Sequence, residues 1–279
     1  MIESSALKKQ YSNGKYALKE VSFTLNKKIT SIIGRNGAGK TTLLRILSTQ
    51  LLPTSGSASI NGYDIIKDAE KIRGITVSIP QESRPVYYRT TFDSVRLYLS
   101  ARGMGVSDAN KAALVAIKKV GLWDVRNNPS YELSGGMKRK MFVAMALAAN
   151  ADIVFLDEPT TALDPLSRLE VWSAIKELKG QVVLTTHYME EAEALSDEVI
   201  MFEDGKILVQ GEVKELLKPF KGMVRIESKK KTKSAYKVGN TWISYVKKEK
   251  AESFVIEGDI IKPITLDDIF IKKGVNLES

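Results

Sequence analysis

The stretch that decides the fold of this chain reads Gly34-Arg35-Asn36-Gly37-Ala38-Gly39-Lys40-Thr41-Thr42. It fits the phosphate-binding pattern G-x-x-x-x-G-K-[ST], in which a glycine-rich loop connects a buried strand to a helix. An apolar, β-branched run at residues 29–33 precedes the loop, and residues 41–47 have the apolar spacing of a helix. The stretch therefore predicts a P-loop, and a nucleotide is the first ligand to expect.

The chemistry of the loop supports this interpretation. Three glycines, Gly34, Gly37 and Gly39, allow backbone N–H groups to wrap a phosphate at the positive end of the following helix. Lys40 would reach the β- and γ-phosphates, and the Thr41 hydroxyl would ligate Mg²⁺. We therefore expect the whole stretch from Gly34 to Thr42 to contact the nucleotide.

Composition restricts the class of protein. The chain has 279 residues, of which 43% are hydrophobic and 27% charged, which is enough for one large core and a second small one. Its longest apolar stretch, residues 141–156, is shorter than the roughly 20 residues that span a bilayer. The first residues lack the apolar core of a signal peptide, and cysteine is absent, so we expect a cytosolic protein. The net charge of +9 suits nucleic acid, an anionic membrane or simple solubility equally well.

Before the helical region, the pattern predicts strands. Residues 16–25 alternate apolar and polar side chains, and residues 57–62 follow the first helix, so early antiparallel strands are expected. A buried strand over residues 75–79 ends at Pro80-Gln81. Helical spacing at residues 91–102 and 108–120 then predicts a helical subdomain at about residues 85–150, with stops at Gly103, Gly105 and Gly121.

Strands and helices alternate beyond that region. Apolar runs at residues 152–156 and 181–185 flank a helix near residues 167–178, which predicts βαβ units and a parallel sheet. After a strand at 199–202, Glu203-Asp204-Gly205-Lys206 is typical of a hairpin turn. The main domain is expected to occupy residues 1–220.

The last part of the chain has a different pattern. Residues 241–246 and 253–256 are predicted strands, and residues 265–270 a capped terminal helix, so residues 221–279 are expected to form a small C-terminal α+β domain. The run Lys229-Lys230-Lys231-Thr232-Lys233 is best explained as a solvated loop between strands.

Further motifs follow the P-loop in a fixed order. Leu133-Ser134-Gly135-Gly136-Met137 would place a capping serine and two glycines at the start of a helix through residues 138–149, where bare amides can meet a phosphate. A buried strand ends in Asp157-Glu158, at the sheet edge where α/β proteins bind ligands. Gln81 follows another predicted strand, and His187, the only histidine, follows a third.

Together these motifs resemble the nucleotide-binding subunit of an ATP-binding cassette (ABC) transporter over about residues 1–220. The resemblance implies a P-loop NTPase with a RecA-like parallel core, an antiparallel β subdomain and a helical subdomain. It implies that Gln81 contacts Mg²⁺ and the attacking water, that Asp157 holds Mg²⁺, that Glu158 polarises the water, and that His187 lies near the γ-phosphate. Tyr11 is favoured over Tyr16 as the residue that stacks on adenine.

The resemblance also implies partners. In the family two cassettes meet head to tail, so Ser134, Gly135 and Gly136 of one chain would close over ATP bound by the other, and Thr161-Ala162-Leu163-Asp164 would reach the partner. A separate membrane permease is expected to bind around residues 84–105, at the cytoplasmic face of the membrane. Met137 replaces a frequent glutamine of the family without removing the backbone chemistry.

Several functions remain open at this stage. The continuation Met137-Lys138-Arg139-Lys140 and the chain end resemble exporter ATPases of the drug-resistance branch, although an importer subunit would have the same core. A soluble ATPase acting on ribosomes or DNA is a rival. Only about 90 residues separate Lys40 from Leu133, which leaves no room for a long coiled-coil insertion, so no nucleic acid is expected. A nucleotide-sensing regulatory subunit would not need Glu158 or His187.

Overall fold

The computed structural model describes residues 1–231, 235–256 and 258–275. The strands form three sheets. The first is antiparallel and contains β1 (Ile2–Gln10), β2 (Tyr16–Leu25), β4 (Ser55–Ile60) and β5 (Tyr63–Asp64), in the order β2-β1-β4-β5. The central sheet contains β3 (Ile29–Gly34), β6 (Thr76–Ile79), β7 (Ile153–Asp157), β8 (Gln181–Thr186), β9 (Glu198–Glu203) and β10 (Lys206–Glu212). The third, also antiparallel, contains β11 (Met223–Ser228), β12 (Tyr236–Val238), β13 (Thr241–Lys247) and β14 (Ile260–Lys262).

The helices connect and cover these sheets. They are α1 (Lys40–Leu47), α2 (Ala69–Ile75), α3 (Thr91–Ala101), α4 (Val106–Lys119), α5 (Gly135–Ala149), α6 (Pro165–Lys176), α7 (Met189–Leu195), α8 (Val213–Leu217), α9 (Ala251–Phe254) and α10 (Leu266–Val275). Within the described ranges, none of them is both long and apolar enough to cross a membrane.

The central sheet places the ends of five parallel strands side by side. Its order is β10-β9-β3-β8-β7-β6, and β3, β6, β7, β8 and β9 are parallel. Since β8 lies between β3 and β7, the loops that follow these three strands meet at one edge, where α/β sheets bind ligands. β10 joins antiparallel through a turn in which Asp204 and Gly205 have φ angles of 45° and 75°, as the Asp-Gly pattern predicts.

Alternation along the strands divides the core into two faces. On β7, Ile153 and Phe155 pack with α1 and the antiparallel sheet, whereas Val154 and Leu156 pack with the helices of the subdomain α3–α5. Full burial of each such side chain contributes about 1.5–3 kcal/mol. The cluster that contains Ile153 and Phe155 also contains Ala38 of the P-loop, so the loop is anchored to the core on the α1 side of the sheet.

A third hydrophobic cluster joins the central sheet to the chain's last segment. Val199 and Met201 of β9 contact Phe220 together with Leu266 and Ile269 of α10. The Asp268 carboxylate accepts a hydrogen bond of 2.8 Å from the Thr265 N–H, which caps α10 as predicted. A domain boundary near residue 220 therefore stays a prediction, because one cluster spans both sides of it.

Some local predictions were wrong. Residues 253–256 were expected to be a strand, but the first two of them belong to α9, which ends at Phe254. The prediction failed because a short apolar run does not distinguish helix from strand. Gly105, expected to stop a helix, precedes α4 at φ −58°, whereas Gly103 and Gly121 follow helix ends with positive φ. Ile75 ends α2 instead of starting β6. Lys229–Lys231 are exposed between β11 and β12, as predicted, and Thr232 and Lys233 lie outside the described residues.

Candidate active site

The P-loop connects β3 to α1 and leaves the start of α1 without a side-chain cap. Gly39 occupies the N-cap position at φ 109°, and a Cβ there would lie 2.3 Å from the Ala17 carbonyl oxygen. Glycine is required by both the backbone angle and this close approach. Since no side chain satisfies the first N–H groups of α1, they remain available to a bound anion.

Lys40 is the buried cation of the loop. Its Nζ donates to the carbonyl oxygens of Gly34 and Arg35, at 2.8 and 3.0 Å. Burial lowers the pKa of Lys40, while the charges of Glu158 and Asp157 act in the opposite direction. A phosphate would offer this ammonium group a charged acceptor in place of two neutral carbonyls.

Asp157, at the end of β7, lies beside the P-loop. One carboxylate oxygen, Oδ1, accepts from the hydroxyls of Thr185 at 2.5 Å and Thr41 at 3.1 Å. Thr41 and Asp157 together offer a hydroxyl and a carboxylate oxygen, the donor types that Mg²⁺ prefers. The structure thus brings two of the three predicted metal ligands together.

Glu158 is the most constrained residue of the site. Its φ is 49°, in the left-handed region, and its backbone N–H is held by the Thr185 hydroxyl at 3.0 Å. Its Oε2 accepts from Gln81 Nε2 at 3.0 Å and from the Thr161 hydroxyl at 2.9 Å. His187 Nδ1 approaches the other oxygen, Oε1, to 3.3 Å without forming an aligned hydrogen bond. Such strain is typical of functional positions.

One cavity of about 470 Å³ lies among these residues, although Asp157 is not part of its lining. The predicted site residues that line it include Asn36, Gly37, Gly39, Lys40, Thr41, Thr42, Gln81, Glu158 and His187, and Thr161 lines it as well. Tyr11 also lines it and shares a hydrogen bond of 3.1 Å with the Thr42 hydroxyl, whereas Tyr16 is not among the lining residues. Arg35 and Ala38 border a neighbouring cavity, and Gly34 is buried beneath the loop.

Sequence reasoning missed two residues of the cavity wall. Lys15 and Ala17 line it from the hairpin between β1 and β2. The turn Tyr11-Ser12-Asn13-Gly14-Lys15 contains the only available signal, because Gly14 has a φ of 81° and brings Lys15 back beside Tyr11. Nothing in the spacing indicates that this hairpin reaches the P-loop.

Ser134, Gly135 and Gly136 do not line the cavity. The Ser134 hydroxyl caps α5 as predicted and accepts from the Met137 N–H at 3.1 Å. Ser134 and Gly135 are exposed, because α5 belongs to the helical subdomain rather than to the loops of the central sheet. A Cβ on Gly136 would lie 3.1 Å from the Leu163 side chain, so Gly136 packs closely on Leu163 of its own chain.

Asp164 has a structural role within the chain. Its carboxylate accepts from the Ser167 N–H at 3.0 Å and caps α6. The hydrogen bonds from Ser167, first from its side chain and then from its backbone, lower the pKa of Asp164. The preceding residues, Thr161 and Leu163, contact Glu158 and Gly136 respectively, so this loop connects the end of β7 to the start of α5.

Comparison with known proteins agrees with this geometry. The ABC transporter family model matches residues 18–161. The chain is 36% identical over 217 residues to the doxorubicin resistance ATP-binding protein DrrA of Mycobacterium tuberculosis, covering 76% of this chain and 66% of DrrA. It is 38% identical over 195 residues to ABC transporter A family member 12 of Arabidopsis thaliana, covering 68% of this chain but only 21% of that protein.

Solved structures give the same picture. The dimeric bacterial ABC transporter cassette MJ0796 matches with a TM-score of 0.70 and 28% identity, over 76% of this chain and 98% of the cassette. A post-hydrolysis state of MJ0796 bound to ADP and Pi matches equally well, with a TM-score of 0.70. The predicted fold class, a P-loop NTPase with a parallel core, is confirmed.

Proposed function

Because this chain belongs to the ABC transporter family, as its ATP-binding cassette, we propose that it binds and hydrolyses MgATP to power a membrane transporter that exports its substrate. The cavity that joins Lys40 to Glu158 carries this proposal. It combines the Lys40 cation, free amides and the buried Glu158 carboxylate, and the Asp157 carboxylate lies next to it on Thr41, which together supply the groups that phosphoryl transfer requires.

The residues of the cavity divide the chemistry among them. Backbone amides of the P-loop and Lys40 would hold the phosphates, and Tyr11 would stack on adenine. Thr41, Asp157 and Gln81 would hold Mg²⁺, which supplies charge neutralisation. Glu158 would orient and polarise a water that attacks the γ-phosphorus, so that the bond to the β–γ bridging oxygen breaks and ADP and phosphate leave. His187, which touches Glu158, would contact the γ-phosphate.

We further propose that two chains close head to tail around ATP. The exposed Ser134 and the start of α5 point to a partner, since they are absent from the cavity of their own chain. In the closed dimer, Ser134, Gly135 and Gly136 would meet the γ-phosphate held by the other P-loop. MJ0796, a similar cassette, is dimeric.

The proposed membrane partner is a permease, which would bring the chain to the cytoplasmic face of the membrane. Residues 84–105 of the helical subdomain are the proposed contact, and this segment carries the exposed aromatic side chains Tyr87 and Tyr88. Similarity to DrrA favours export of a substrate over import. Action on a ribosome or on DNA is the rival function, and no observed feature of the chain favours it.

The test uses Glu158→Gln, which should bind ATP without hydrolysing it. With MgATP this variant should sediment as a dimer, and Lys40→Ala should stay monomeric because it loses phosphate binding. Only monomer for Glu158→Gln with MgATP would contradict closure.

A second experiment uses the tagged, ATP-closed Glu158→Gln variant as bait in detergent-solubilised membranes of the native source. A multispanning membrane protein that is absent with Lys40→Ala supports the transporter. Recovery of ribosomal or DNA-bound proteins would instead support the rival function.

A further inference from the structure

Arg139 links α5, which starts at the signature segment Ser134-Gly135-Gly136, to the loop that contains Gln81. It lies on α5, three residues after Gly136 and therefore on the same side of the helix. Its Nη2 donates to the Gln81 carbonyl oxygen at 2.8 Å, and its Nη1 lies 3.5 Å from the Pro80 carbonyl oxygen. The guanidinium thus contacts the backbone of the residue whose side chain reaches Glu158.

Gln81 lies in the loop of residues 80–89, whose far end is tied separately: Ser130 donates to the Arg89 carbonyl oxygen, and Tyr131 stacks on Tyr87. Residues 80–89 contain no helix or strand, and the Ser83 hydroxyl bonds Pro80 only within the loop. Over the described ranges, the hydrogen bonds that reach the backbone of Pro80 and Gln81 from outside the loop both come from Arg139. Arg139 is therefore the side chain that sets the position of this backbone.

The positive charge of Arg139 is favoured at its position beside the Pro80 and Gln81 carbonyls. The guanidinium is partly buried against neutral carbonyls, and burial lowers the pKa of Arg139. The nearby charges of Asp157 and Glu158 oppose that shift and stabilise the cation. By contrast, the next residue, Lys140, pairs directly with the Glu170 carboxylate of α6 and serves the packing of two helices. The two adjacent basic residues thus have different partners.

We propose that Arg139 is a positioning residue for ATP hydrolysis. It holds the backbone of Gln81 so that the Gln81 amide stays 3.0 Å from Glu158 Oε2. Because Arg139 belongs to the helix that starts at the signature segment, it also relays a displacement of that helix to the catalytic carboxylate. This inference rests on the proposed hydrolysis of ATP and does not depend on export or on the permease.

Steady-state hydrolysis of MgATP by the full chain tests the proposal. Arg139→Gln should lower kcat by roughly 10-fold, the expected effect of displacing a positioned group by less than 1 Å, with KM within about twofold. Arg139→Lys keeps the cation and should recover part of the loss. Lys138→Gln removes a neighbouring charge that has no contact with Gln81, and it should behave as the unmodified chain. An equal loss in Lys138→Gln would overturn the proposal.

A double-mutant cycle identifies the route of the effect. In a Gln81→Ala background, Arg139→Gln should change kcat by less than about twofold, since the side chain it positions is gone. If the losses of kcat from the two single substitutions multiply in the double variant, Arg139 acts by a route other than Gln81, and the proposal is overturned.

Hydrogen exchange of the nucleotide-free chain tests the tether without turnover. Amides of residues 81–89 should exchange faster in Arg139→Gln than in the unmodified chain or in Lys138→Gln. Unchanged exchange would overturn the proposal even if the chain hydrolyses ATP. Faster exchange together with absent hydrolysis in every variant would instead locate the failure in the proposed function.

Discussion

Two helix N-termini of the molecule belong to the segments proposed to contact phosphate, and they are built in opposite ways. α1 begins with Gly39, has no side-chain cap and opens into a cavity lined by Lys40 and the Glu158 carboxylate. α5 begins with Ser134, whose hydroxyl already satisfies the Met137 N–H, and its first residues are exposed. In the proposed function, the first helix start binds phosphate within its own chain, and the second meets the phosphate that a partner chain holds.

Lysine substitution should give the largest difference between the two helices. Lys40→Ala removes the buried cation whose Nζ bonds the Gly34 and Arg35 carbonyl oxygens, and we expect ATP hydrolysis to fall by about 10³-fold. Lys138→Ala on α5 removes a lysine outside the cavity and should retain most of the activity. Phosphate release measures both, with the thermal midpoint as a folding control. Similar losses of ATP hydrolysis in the two variants would contradict a functional difference between the starts of α1 and α5.

Adding a methyl group to a glycine at each helix start should give the next effect. Gly39→Ala forces a Cβ to 2.3 Å from the Ala17 carbonyl at a φ of 109°, and we expect it to lower the free energy of unfolding by about 3 kcal/mol. Gly135→Ala meets no atom within 4 Å and should change that free energy by less than about 1 kcal/mol. Urea unfolding compares the two variants, and similar midpoints would contradict the observed difference in space.

Removal of the α5 cap should have a smaller effect. Ser134→Ala leaves the Met137 N–H without its 3.1 Å acceptor, and we expect a loss of about 1 kcal/mol in the free energy of unfolding. Ser134→Asn keeps a capping oxygen and should lose less. If both variants unfold at the urea concentration of the unmodified chain, the cap does not stabilise α5.

The smallest expected effect is a pH dependence of ATP binding that comes from Lys40 at the start of α1. Burial lowers the pKa of Lys40 below its ordinary value of 10.5, and a bound phosphate should raise it again. ATP binding should therefore take up a proton in the alkaline range, and ATP affinity should decrease as the pH rises toward 10.5. Calorimetry in two buffers of different ionisation enthalpy measures the uptake between about pH 8 and 10. Proton uptake that stays near zero at every pH would contradict the lowered pKa of Lys40.

Most of the site could be predicted because its residues stand in short local motifs. The P-loop needs adjacent glycines, a lysine and a threonine, and each is set by a backbone turn of a few residues. The same holds for Ser134, which caps a helix that starts at the next residue. The place of Lys15 in the cavity wall could not be predicted, because a distant hairpin brings it there. The hydrogen bond from Arg139 to the Gln81 backbone could not be predicted either, because 58 residues separate the two.

The sequence by itself determined the P-loop, the carboxylates at the end of β7 and the cap of α5, since each depends on neighbours a few residues apart. Only the tertiary structure decided that Thr41 meets Asp157, 116 residues away, and that Gln81 meets Glu158, 77 residues away. It also left Ser134 outside the cavity. The reason is the strand order β3-β8-β7-β6: which strands become neighbours depends on packing of the whole sheet, and no local spacing encodes it.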